Sequence, residues 1–89
     1  MVRRNSAKEV SSGKQKGLPD EKTLMIVLGA IGVSKTDVAK LNQVTGIPVP
    51  VVMEALRRLI QRGLVASAYD GFETIYYLTE QGYKLVQNL

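Results

Sequence analysis

The apolar pattern of this chain changes period at Gly63, and that change limits what it can fold into. Before Gly63, apolar residues recur every three or four positions. After it, Leu64, Ala66 and Ala68 alternate with Val65, Ser67 and Tyr69, and Asp70-Gly71 follows. Spacings of three and four write amphipathic helices, strict alternation writes a half-buried strand, and Asp-Gly between alternating runs is a strong hairpin signal. Helices followed by one hairpin make an α+β chain, and 89 residues leave room for a single core.

The helical part divides into three. Pro19-Asp20-Glu21 ahead of TLMIVLGAIG predicts a helix over 19–31, with proline in its first turn, two carboxylates at the positive end of the dipole and Gly32 as its stop. Ser34 and Asp37 form an S-x-x-D capping signal, so a second helix is expected over 35–45, with Val38, Leu41 and Val44 on one side and Gly46 at its end. A short link, Gly46 to Val49, leads to a third helix over 50–62 that opens on Pro50 and ends at Gly63. At about 100° per residue, Val52, Ala55, Leu56, Leu59 and Ile60 share its inner face, while Pro50, Glu54, Arg57, Arg58 and Gln61 share the outer one.

A two-residue loop at Asp70-Gly71 sets Leu64 opposite Tyr77, Ala66 opposite Ile75, Val65 opposite Tyr76 and Tyr69 opposite Phe72. That register puts Leu64, Ala66, Ile75 and Tyr77 toward the core. Thr79 is placed to cap a last short helix, with Leu78 and Tyr83 as a hydrophobic staple and Leu85, Val86 and Leu89 as its apolar stripe.

Composition removes most chemistry. The chain has no histidine, cysteine or tryptophan, which takes away disulfides, thiol nucleophiles, imidazole acid–base catalysis and the common zinc ligand sets. No nucleophile–base pair or phosphate loop stands out, and Lys16-Gly17 is not a Walker motif. The expectation is a protein without catalytic residues, metal or cofactor. The longest apolar run, Leu24 to Val33, is about half of the roughly 20 residues a bilayer crossing needs. No apolar stretch follows Arg3 and Arg4, so no secretory signal and a cytoplasmic location are expected.

The formal charge of +4 sits at one end. Residues 1–18 carry Arg3, Arg4, Lys8, Lys14 and Lys16 against Glu9, whereas residues 19–89 are neutral in sum. This divides the chain into a flexible basic arm, 1–18, and a folded domain, 19–89. The arm reads either as a phosphate-following segment or as a solubilising terminus. Within the domain, residues 34–63 carry +3 and residues 64–78 carry −2.

Helix, helix, short turn, helix, hairpin, helix is the order of a winged helix-turn-helix. Residues 34–64, SKTDVAKLNQVTGIPVPVVMEALRRLIQRGL, are similar to the helix-turn-helix and its leucine-glycine-leucine exit in MarR-, PadR- and ArsR-like regulators. Residues 76–83, YYLTEQGY, resemble the strand-to-helix junction after the wing of those families. The resemblance spans about 19–89 and implies a small DNA-binding transcriptional regulator whose third helix enters the major groove of double-stranded DNA. Carried onto this sequence, the contact positions are Pro48, Val49, Pro50, Val51, Glu54, Arg57, Arg58 and Gln61, with Arg3 and Arg4 of the arm on the backbone. MarR and PadR types usually add long dimerisation helices. Here Met25, Ile26, Leu85, Val86 and Leu89 exceed what a small core needs, which favours a homodimer. No small-molecule ligand is evident.

The residues fit that role unevenly. Arg57 and Arg58 can fork onto guanine or grip phosphates, and Gln61 can pair adenine. The first turn offers only proline and valine, and Glu54 would repel phosphate unless it accepts from cytosine. Ser34, Lys35 and Thr36, with Lys40 a turn later, suit a phosphate at the start of the second helix, although Ser34 equally suits a cap. The wing departs most: its tip, Tyr69-Asp70-Gly71-Phe72-Glu73, has two carboxylates and no cation. Tyr69, Phe72 and Thr74 are its candidate contacts, and the aromatics Tyr69, Phe72 and Tyr76 can stack on bases, anchor a protein partner or simply brace the hairpin. The alternative function is therefore a winged helix used for protein–protein contact in a larger assembly.

Overall fold

The computed structural model describes residues 19–88. Arg3, Arg4 and the rest of 1–18 lie outside the described residues, as does Leu89. Helix α1 spans Glu21–Ile31, α2 Val38–Thr45 and α3 Val49–Gln61; strands β1, Val65–Tyr69, and β2, Thr74–Leu78, form an antiparallel hairpin, and α4, Glu80–Gln87, follows.

Each helix starts where its cap allows. Asp20 rather than Pro19 begins α1, its carboxylate accepting from the Thr23 N–H at 2.8 Å. The second helix starts later than the S-x-x-D signal suggests, because Asp37 is the cap: its Oδ1 accepts from the Lys40 N–H at 2.8 Å. Ser34 caps nothing, since the intervening Thr36 is extended and pairs with Tyr76 through both backbone groups, at 2.9 and 2.7 Å. The turn into α3 is closed by side chains. Asn42 Nδ2 donates to the Ile47 carbonyl at 2.7 Å, and the Thr45 hydroxyl accepts from the Ile47 N–H at 3.1 Å.

At the far end of α3, Leu64 N–H reaches the Leu59 carbonyl and Gly63 N–H reaches that of Ile60, both at 3.0 Å. This double bond pattern is a Schellman cap, and it requires the left-handed conformation that Gly63 adopts at φ +77°. Here the sequence signal and the structure agree.

The core is made by α1, α2 and α3. Leu24, Val27, Leu28 and Ile31 of α1 meet Leu41 of α2 and Val52, Ala55, Leu56 and Leu59 of α3, with Val65 from β1. A fully buried leucine contributes roughly 1.5–3 kcal/mol, so these ten side chains dominate the stability of the domain. Ile60, expected inside, is 38% exposed, because the inner face of α3 is narrower than its apolar stripe.

The hairpin departs from the expected register. Val65 pairs with Leu78, Ala66 with Tyr77, Ser67 with Tyr76, Ala68 with Ile75 and Tyr69 with Thr74. The loop holds four residues instead of two. Asp70 Oδ1 accepts from the N–H groups of Phe72 and Glu73, both at 2.9 Å, and Asp70 N–H donates to the Glu73 carbonyl at 3.1 Å. Such an Asx turn competes with the tighter Asp-Gly loop, and here it wins. The inward face is also the other one. Val65, Tyr76 and Leu78 pack on the core, whereas Ala66, Ile75 and Tyr77 lie on the outer side. A two-residue change of register keeps the faces as they were, so the loop is not the cause. The cause is the exit from α3: the Schellman cap leaves Leu64 at the rim and turns Val65 inward.

Candidate functional site

The outward face of α3 is the most distinctive surface of the described residues. It begins with Val49, Pro50 and the half-buried Val51, and it ends with Glu54, Arg57, Arg58 and Gln61. Pro48 stands at the cap position and makes no side-chain cap, while Met53 is exposed beside it. Amphipathic spacing locks the opposite side into the core, so these side chains must face away from it.

Glu54 does not stand alone on this face. Its Oε1 accepts from Arg57 Nε at 3.1 Å, and its Oε2 accepts from Arg57 Nη2 at 2.5 Å and from Arg58 Nε at 3.1 Å. Both guanidiniums hold the carboxyl below the usual carboxylate range, with Arg57 contributing more than Arg58. In the sequence, Glu54 is considered only as a contact to DNA. The signal for its pairing was present, since positions 54, 57 and 58 have the i,i+3 and i,i+4 spacing at which helical side chains meet.

The third arginine of α3's end has another task. Arg62 donates to both carboxylate oxygens of Glu21, at 2.6 and 3.0 Å, and so ties the end of α3 to the start of α1. This contact bridges elements 41 residues apart, and no local spacing announces it.

Lys35 and Lys40 are exposed on either side of the α2 start, and no ion pair engages them among the described residues. Ser34 is exposed in the segment between α1 and α2. The helix N-terminus that the sequence offers to a phosphate already holds the Asp37 carboxylate. Thr36 instead joins the hairpin, so Ser34, Lys35 and Thr36 form an extended approach to the wing and not the first turn of a helix.

In the wing, Tyr69 and Thr74 are exposed and directly paired, and the Tyr69 hydroxyl donates to the Gly71 carbonyl at 3.1 Å. Tyr69 therefore faces Thr74, not Phe72. Phe72 stands at the tip with 94% of its surface exposed. Tyr76 is part of the core packing and of the bridge to Thr36, which removes it from the candidates for stacking.

Between the wing and the helices lies a groove of about 340 Å³, lined by Asp37, Val38, Ala39, Met53, Glu73, Thr74 and Tyr76. Asp37 is the largest influence raising the Glu73 carboxyl above its ordinary range, with loss of hydration and Asp70 adding to it. The Asp70 carboxyl is lowered by the Glu73 and Phe72 N–H groups it accepts from. A second, wider concavity of about 520 Å³ lies between the α1–α2 connection and α4, lined in part by Val33, Lys35, Tyr77, Leu78 and Tyr83. No spacing or motif in the sequence announces it.

No described helix is long and apolar enough to cross a membrane. No protein-family model matches the chain, and no curated protein matches it by sequence. Solved structures do. The transcriptional repressor BigR from Xylella fastidiosa superposes with a TM-score of 0.70 at 23% identity, over 90% of this chain and 79% of that one. A predicted DNA-binding transcriptional regulator from E. coli gives a TM-score of 0.64 at 22% identity, over 90% and 85%. The transcriptional regulator HlyU from Vibrio vulnificus gives 0.68 at 19% identity, over 90% and 88%. The fold of this chain is the winged helix-turn-helix.

Proposed function

We infer that the chain is a small transcriptional regulator that binds double-stranded DNA by docking α3 in the major groove. The observation that carries this reading is the outer face of α3, where Arg57, Arg58 and Gln61 project side by side from a helix whose other face is core. The similar structures, described as transcriptional regulators, support it at the level of the fold. Arg57 and Arg58 reach phosphates or guanine edges, Gln61 reaches a base, and Val49 and Val51 meet thymine methyl groups. Lys35 and Lys40, with Ser34 and Thr36 between α1 and α2, flank the groove on the backbone. The basic stretch 1–18, with Arg3 and Arg4, adds sequence-independent affinity ahead of a single domain over 19–89. The protein is not an enzyme on this reading, and it works in the cytoplasm without metal or cofactor. Two copies associate through α1 and α4, where Ile26 and Tyr83 are exposed beside half-buried Met25, Leu85 and Val86.

Fluorescence anisotropy of a labelled random-sequence duplex, at two salt concentrations, tests this. Full-length protein and a shortened chain beginning at residue 19 should both bind, with the affinity falling about 0.9 decades per decade of salt for each phosphate contacted. Binding by the full-length chain alone would move the contact to residues 1–18, and no binding by either would remove the reading.

A second reading rests on Phe72. A nearly fully exposed phenylalanine between two carboxylates fits an apolar pocket with a basic rim on a protein partner better than it fits a phosphate backbone. It predicts salt-insensitive partner binding that is lost in Phe72→Ala.

A further inference from the structure

The one carboxylate on the outer face of α3 is bonded to the two arginines expected to meet DNA. Every bond it makes there uses a particular edge of those arginines. Arg57 gives Nε and Nη2 to Glu54, which is the side edge of its guanidinium. A guanidinium has five N–H donors in a fixed plane, so the end edge, Nη1 with the second Nη2 proton, remains free. Arg57 is the most exposed of the three, its side chain being 58% exposed against 36% for Arg58 and 21% for Glu54. The free edge thus belongs to the most exposed group of the cluster.

We propose that Glu54 is the positioning residue of this face: it holds Arg57 so that its end edge forks onto a guanine, and it keeps both arginines from gripping arbitrary phosphates. This rests on the DNA-binding reading above and adds the origin of its specificity. Guanine O6 and N7 are accepted targets of such a fork, and a good bidentate pair separates right from wrong bases by roughly tenfold or more. Glu54 is poorly placed to read cytosine itself, because Oε2 already accepts two bonds and Oε1 one. It also offsets one of the two positive charges. Without it, two free guanidiniums would face the polyanion and bind it with less discrimination.

The test uses full-length wild type, Glu54→Gln and Arg57→Ala. A motif is first selected from a randomised duplex pool, and affinities are then measured by anisotropy on the selected duplex and on the unselected pool at two salt concentrations. Glu54→Gln is expected to bind the unselected pool severalfold more tightly, with a salt slope steeper by about 0.9 for one added phosphate contact. It is also expected to lose about tenfold preference at the same base position that Arg57→Ala loses. A purely structural role would move the melting temperature and leave the salt slope alone. The proposal is overturned if Glu54→Gln binds the pool no more tightly, if the two variants lose different positions, or if wild type binds DNA but selects no motif. Absence of any duplex binding by wild type would instead bring down the DNA-binding reading, and this inference with it.

Discussion

Gly82 lies against the backbone of Leu64: a Cβ at position 82 would stand 3.0 Å from the Leu64 carbonyl carbon and closer still to its oxygen. The same corner is tied by Thr79, whose hydroxyl donates to the Gly63 carbonyl at 2.6 Å and accepts from the Gly82 N–H at 3.1 Å. Thr79 N–H donates to the Leu64 carbonyl at 3.1 Å. Leu-Thr-x-x-Gly is thus the joint between the end of α3 and the start of α4, with threonine as the double tie and glycine as the close approach.

Gly82→Ala should therefore cost more than the usual gain of alanine in a helix returns. Neither backbone can give way as a flexible side chain would, so overpacking of about 2 kcal/mol is expected. In a domain of this size that lowers the melting temperature by roughly 10 °C, measurable by circular dichroism. An unchanged or raised melting temperature would show that the two segments do not meet as described.

The position of the α2 cap gives a second comparison. Asp37→Ala removes the acceptor for the Lys40 N–H and should destabilise by about 1 kcal/mol, while Ser34→Ala should be close to neutral. Chemical denaturation of both variants decides between the two possible caps. The reverse order would restore the longer helix that Ser34 suggests.

Acid should act on Glu73 in the opposite sense from the other shifted carboxylates. The Glu73 carboxyl is raised, chiefly by Asp37, so its charge opposes folding at neutral pH. That penalty is relieved as the pH falls through the folded value and is gone below the unfolded one. Asp20, Glu21, Glu54 and Asp70 are lowered, so their stabilisation is complete at neutral pH and is lost on acidification below the ordinary carboxylate range. Glu73→Gln should melt higher than wild type at pH 7, and the difference should shrink toward pH 3. A difference that is constant with pH would exclude the electrostatic cause.

What could be read from the sequence was local. The Gly63 stop and the Thr79 cap of the Gly82 N–H each act within a few residues, and these signals mark the end of α3 and the start of α4. The inner residues Val52, Ala55, Leu56 and Leu59 followed from periodicity alone. The hairpin register was lost because Asp70 has two local options, a tight Asp-Gly loop or an Asx turn, that differ only in which N–H groups its carboxylate takes. The inward face was lost because it depends on how Val65 leaves the Schellman cap. The Thr36–Tyr76 bridge and the Arg62–Glu21 pair join segments about 40 residues apart, beyond any pattern of spacing. The candidate site was legible as a set of residues on one helix face. Its organisation around Glu54 uses the i,i+3 and i,i+4 spacing, which permits the pairing without requiring it.

The central claim is that α3 meets DNA through its arginines, and reversing their charge tests it most directly. Full-length wild type and the double variant Arg57→Glu, Arg58→Glu should be compared on a labelled random-sequence duplex at low salt, with circular dichroism confirming that both are folded. The account predicts that the double variant loses most of the binding. A folded double variant with unchanged affinity would contradict it and take α3 out of the contact surface.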